Sequence, residues 1–147
     1  MAQQQQLSGP HLSVAAFCEK VLVEVDQVVS LIRLVDRFTV SGTAPEMPAV
    51  TLNMYLVIGF KAGFIRGKQT VRVVPTSPNG REMGSNEWPQ LFEGDDRGNL
   101  IVSQMNFLAQ EEGLYWFDIT CDGVPVTRLP LRVMYQQVAS SSPGKPR

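Results

Sequence analysis

At 147 residues, with 44% hydrophobic and 18% charged side chains, the chain has the make-up of one globular domain, long enough to bury roughly 70% of its unfolded surface. A formal net charge of −1 supplies no long-range field to gather phosphate backbones or anionic lipid, which excludes nucleic acid and membrane from the expected partners. Cys18 and Cys121 are too few and too far apart for a disulfide scaffold or a zinc site. They read as buried free thiols of a cytoplasmic protein, and no cofactor is expected.

Taken in chain order, residues 1–12 are Gln-rich, lack the apolar run of a signal peptide, and hold the single histidine, His11. With residues 138–147 (Val-Ala-Ser-Ser-Ser-Pro-Gly-Lys-Pro-Arg) they read as disordered ends flanking a single domain over 13–137. From Phe17 to Val40 two readings compete. Cys18, Val21, Leu22, Val25, Val28, Val29, Ile32 and Val35 recur at helical spacing. The same stretch is dense in β-branched residues that favour pleated surfaces, and Asp26-Gln27 would then turn one strand into another. Val50, Leu52, Met54, Leu56, Ile58 and Phe60 alternate with more polar neighbours and predict a strand. Lys61–Gly67 reads as a loop and Lys68–Pro75 as a short strand leading into a Ser77-Pro78-Asn79-Gly80 turn. Arg81–Leu91 is ambiguous, Gly94–Asn99 reads as a loop, and Leu100–Leu108 as another alternating strand.

The clearest pattern lies near the C-terminus. Tyr115, Phe117, Ile119 and Cys121 share one parity, Asp122-Gly123 supplies a turn, and Leu129, Leu131, Val133 and Tyr135 share a parity on the way back. Two adjacent strands that each bury one face mean an antiparallel sheet against a core. The sum is an all-β chain: an antiparallel β-sandwich, immunoglobulin-like or C2-like, of seven to nine strands.

Reactive groups are sparse. With His11 alone in the N-terminal lead, no histidine is expected within the fold to serve as base or ligand. Glu93, Asp95 and Asp96 cluster without the spacing of a calcium loop, and Arg97 opposes a cation there. Asp118, Asp122 and the Glu111-Glu112 pair are the only carboxylates placed to suggest acid–base work, and they sit on a hairpin and its corner rather than around a cleft. No catalytic residue is assigned. The outward parity of the last hairpin instead gathers Leu114, Trp116, Arg128, Arg132 and Met134, residue types enriched in interface cores. Pro130 places the final strand at an edge or a bulge. Trp88, beside Pro89 in a loop-like segment, is an alternative site for stacking a ligand or sugar.

From Ala15 to about Met134 the order of elements resembles an uncharacterised family of small bacterial β-sandwich domains of unknown function. The resemblance is carried by Ala16-Phe17-Cys18, by Leu31–Phe38 with its Asp36-Arg37-Phe38 end, and by Met47-Pro48. It continues through Val71-Arg72-Val73-Val74 into Pro78-Asn79-Gly80 and ends on Gly113-x-Tyr115-x-Phe117-x-Ile119 with Asp122-Gly123. The resemblance implies two strands rather than a helix between Phe17 and Val40, and no catalytic residues. Together these readings lead to the expectation of a non-catalytic module that binds a protein partner or self-associates, with ligand or carbohydrate binding through Trp88 as the alternative.

Overall fold

The computed structural model describes residues 9–139, which form seven strands and no helix: β1 (His11–Val23), β2 (Val29–Val35), β3 (Arg37–Gly42), β4 (Val50–Thr76), β5 (Asn86–Ala109), β6 (Gly113–Cys121) and β7 (Val124–Gln137). Of the disordered ends expected over 1–12 and 138–147, residues 1–8 and 140–147 lie outside the described residues. β1 already opens at His11, which pairs with Lys61, ahead of the expected start of the domain.

β-Branching rather than helical spacing decides the N-terminal stretch. β1 and β2 form an antiparallel hairpin with Phe17 opposite Val35 and Val23 opposite Val29. Its turn falls at the expected Asp26-Gln27: Glu24 and Gln27 close it by backbone hydrogen bonds, Asp26 Oδ1 accepts the Val28 N–H at 3.1 Å, and Gln27 takes a left-handed φ of 71°. Asp122-Gly123 likewise turns with both φ values positive, 46° and 78°, as a two-residue hairpin loop requires.

Two expected loops are not loops. Lys61–Gly67 and Gly94–Asn99 both lie inside strands, paired across β4 and β5 as Lys61 with Gly98, Gly63 with Asp95 and Arg66 with Glu93. Drawn straight, the 27 residues of β4 would reach roughly 90 Å, several times the radius of gyration of about 15 Å expected for such a chain. The ribbon must bend, and it does so at register shifts between Lys61 and Arg66. Gly63 and Gly94 take positive φ there, and Arg66 braces the corner by donating to Glu93 O at 2.9 Å and Asp95 Oδ2 at 3.3 Å. Glycines that look like loop punctuation are bulge residues of one long hairpin.

The bend divides the pairing. The N-terminal half of β4 lies between β1 and β5, and its C-terminal half lies between β5 and β6. The path of hydrogen-bonded neighbours runs β2-β1-β4-β6-β7-β3, with β5 beside β4. The expected stack of separate sheets is thus drawn here as one continuous curled sheet, because β4 and β5 run through both halves. A second correction concerns direction: β3 pairs with β7 in parallel, Arg37 beside Arg132 through Gly42 beside Gln137. One residue, Asp36, separates β2 at one end of the path from β3 at the other. A linker that short brings the two ends together and curls the sheet around its core.

The interior is the inward parity of every strand. Phe17, Leu56, Ile58, Val71, Val73, Phe107, Phe117, Ile119 and Leu131 belong to one buried cluster. Phe117 bridges the halves, with ring centroids 4.8 Å from Phe17 and 5.5 Å from Phe107.

Candidate functional site

Inward burial on β6 forces the intervening residues outward, and the five predicted interface residues meet on one face. Ladder pairing sets Leu114 opposite Arg132, Trp116 opposite Pro130 and Asp118 opposite Arg128, with Thr76 of β4 flanking Trp116 on its other side. Arg128 lies over the Trp116 ring, 4.6 Å from its centroid, while its Nε donates to Asp118 Oδ1. The indole face is covered by a cation, and the cation is oriented by a carboxylate. Trp116 and Leu114 are half-buried, Met134 is 42% exposed, and none of the three packs against the core cluster. The Arg81–Leu91 segment does not cover them: from Asn86 it runs in the plane of the sheet as β5, beside β4.

Parallel pairing of β3 adds a residue that no local pattern signals. Arg37 stands beside Arg132, two guanidiniums on neighbouring strands. Arg37 reaches the exposed Asp36 carboxylate only at 3.7 Å, and Arg132 has no ion pair among the described residues. Arg72, on the same side of β4, is matched by Glu87 at 3.6 Å. The face therefore carries apolar and aromatic groups next to a cationic end.

The last strand is an edge in part. β3 covers β7 only from Arg132 onward, so Val124–Leu131, which includes Pro125 and Pro130, has β6 on one side alone. Two prolines lacking an N–H blunt that stretch as a template for another strand.

The remaining candidates have structural partners. Trp88 lies in β5 opposite Val71 rather than in a loop, and it packs against the core cluster. Asp122 Oδ1 accepts the Thr70 N–H at 2.7 Å, and Asp95 takes Arg66. Glu111 contributes its backbone: its carbonyl accepts from Tyr115 Oη at 2.6 Å and its N–H donates back at 3.3 Å, the tethered tyrosine at a strand corner that immunoglobulin-type sheets use. A cavity of about 190 Å³ beside that corner is lined by Ser77, Asn79, Arg81, Gln110 and Tyr115. Its polar groups bind one another, Arg81 donating to Gln110 Oε1 at 3.2 Å and its N–H to Ser77 Oγ at 3.2 Å.

Both cysteines are buried and free. Burial first, and the Asp122 charge second, push the Cys121 thiol from 9.0 to about 11. Native protein at pH 8 is therefore expected to leave Cys121 unlabelled by a thiol reagent that modifies it fully in denaturant. Because the folded value is the higher one, stability contributed by the neutral thiol is intact below pH 9.0 and is lost as pH rises towards about 11. A chemical-denaturation series across that window reads the loss, and Cys121→Ala should reduce it, leaving the share of Cys18, whose thiol burial also raises.

Residues 13–134 match the model of a family of unknown function (DUF6941). The chain belongs to that family. No curated protein matches it. Among solved structures it is similar to the CARDB domain of a Pyrococcus furiosus protein, with 14% identity and a TM-score of 0.42 over 88% of this chain and 97% of that one. It is also similar to an immunoglobulin-like protein of Pseudomonas aeruginosa, with 8% identity and a TM-score of 0.41 over 86% and 98%. Among the described residues, no helix is long and apolar enough to cross a membrane.

Proposed function

We propose that this DUF6941 member is a non-catalytic, cytoplasmic bacterial module of immunoglobulin-like sandwich type. It binds a protein partner through the outer face of β6, β7 and β3. The observation that carries the reading is the Trp116–Arg128–Asp118 stack, a pre-ordered aromatic platform on an outer sheet face, flanked by Leu114, Met134 and the Arg37–Arg132 pair. Tryptophan and arginine carry a disproportionate share of interface energy, more so when held rigid before binding.

Charge selects the partner. Glu87 and Asp118 match Arg72 and Arg128, which leaves Arg132 unmatched and Arg37 weakly matched. Packing this face on a second copy of itself would set like charges together, a costly juxtaposition. The occupant that fits is a protein presenting carboxylates beside an apolar anchor. A non-catalytic role is supported by the Asp118 and Asp122 carboxylates being engaged in an ion pair and a turn respectively.

Affinity capture with tagged wild type, Trp116→Ala and Arg132→Glu tests the reading. A stoichiometric partner should be retained by wild type, released by about 0.5 M salt, and lost from both variants. Trp116→Ala should weaken binding by about 2–4 kcal/mol, roughly 30- to 1000-fold. Both variants should keep a thermal midpoint within a few degrees of wild type. Equal capture by all three proteins removes the proposal.

A further inference from the structure

The β1–β2 hairpin outruns the sheet to which it belongs. β1 pairs with β4 only from His11 to Cys18. The rungs beyond, from Lys20 with Ile32 to Val23 with Val29, are a two-stranded arm with no third strand beside it. No apolar side chain among residues 21–32 belongs to the core cluster or packs against it. β-Branched residues keep the arm extended, yet they do so at the cost of leaving its tip in water. Val25 is fully exposed, Val23 63% and Val28 59%.

Two carboxylates flank the exposed valine. Glu24 accepts from Ser30 Oγ at 3.1 Å and Asp26 accepts the Val28 N–H at 3.1 Å, so both are oriented on the turn. Neither has an ion pair among the described residues. Carboxylates beside an apolar anchor are what the arginine face requires, with Arg132 unmatched and Arg37 weakly matched there. Two acids without cations on the arm answer two cations short of acids on the face. They do not meet within one molecule. β2 is seven residues long, about 23 Å, and it stands between the turn and Arg37, which puts the tip out of reach of that residue.

Resting on the partner-binding reading of the arginine face, we infer that its occupant is the β1–β2 arm of a second copy of the chain. Val25 meets the apolar groups around Trp116, while Glu24 and Asp26 meet Arg132 and Arg37. Face against face would oppose guanidiniums; arm against face brings opposite charges together. A net charge of −1 leaves little repulsion between whole molecules. The contact is heterologous: every copy that offers its arm keeps its own face free for the next. Such contacts continue head to tail into a ring or a filament rather than stopping at a two-fold dimer. A hairpin tip buries less than a standard interface, so the contact is reversible and its strength rests on Trp116 and the oriented charges.

Sedimentation equilibrium of the full chain from about 10 µM to about 1 mM reads the association directly. Wild-type weight-average mass should climb through two chains and beyond, and return to one chain in about 0.5 M salt. Val25→Arg, at a fully exposed position, spoils the arm, and Trp116→Ala spoils the face. Each variant alone should stay at one chain while retaining the wild-type far-ultraviolet spectrum. An equimolar mixture of the two should recover a pair and stop there. The intact arm of Trp116→Ala fits the intact face of Val25→Arg, and no working site is left over. A wild type that stays at one chain overturns the inference. So does association that survives either substitution, or a mixture that stays at one chain. The partner-binding reading is judged separately: a different protein captured by wild type and lost from Trp116→Ala upholds it even where self-association fails.

Discussion

Replacing Phe117 with alanine is expected to lower the unfolding free energy by about 3–5 kcal/mol, the range for emptying an aromatic site in a packed core. Phe117 has no exposed surface and meets Phe17 and Phe107 from the opposing half of the sheet, so the hole it leaves lies between two layers that cannot both collapse into it. A domain has only about 5–15 kcal/mol in hand, and the thermal midpoint should fall by about 10–20 °C. Trp116→Ala, one residue away and larger in volume removed, should cost about 1 kcal/mol, because the indole lies outside the core cluster under Arg128. Calorimetry on the two variants orders them. If Trp116→Ala proves the more destabilising, inward and outward parity on β6 are reversed, and the proposed binding face is core.

That prediction depends on the part of the fold that strand alternation makes readable. On β6 and β7 each inward position is apolar and the outward ones are mixed, so a period of two fixes which side chains enter the core. The Asp26-Gln27, Asn79-Gly80 and Asp122-Gly123 turns are readable too, since each combination tolerates the positive φ found at Gln27, Gly80 and Gly123. Less was legible where glycine has two meanings. Gly63 and Gly94 mark a bulged corner in continuous strands, whereas in sequence they resemble the ends of loops. Parallel pairing of β3 with β7 joins residues nearly a hundred positions apart, and no local pattern encodes such a register.

That Leu114, Trp116, Arg128, Arg132 and Met134 share one face is readable from parity alone, whereas the cationic end of that face is not. Arg37 joins Arg132 only through the β3–β7 pairing.

Removing one oxygen at the corner between β5 and β6 should cost more than removing a whole carboxylate from it. Tyr115→Phe keeps the ring, and with it the edge-on contact with Phe107 at 5.0 Å, so no cavity opens. It deletes the hydroxyl that donates to Glu111 O and accepts from Glu111 N–H. Both backbone groups then lose a partner in a half-buried corner, a loss of about 1–3 kcal/mol. The chain has little freedom to find substitutes: Gly113 is held at a φ of 136°, with any Cβ there 2.8 Å from Pro78. Glu111→Ala leaves that same backbone tether in place and should change stability by less than about 0.5 kcal/mol. Denaturant unfolding of the two variants separates a corner fastened through main-chain atoms from one that relies on the Glu111 carboxylate. A larger loss for Glu111→Ala than for Tyr115→Phe would show that the carboxylate is the working group, and would return Glu111 to the list of residues with chemistry to perform.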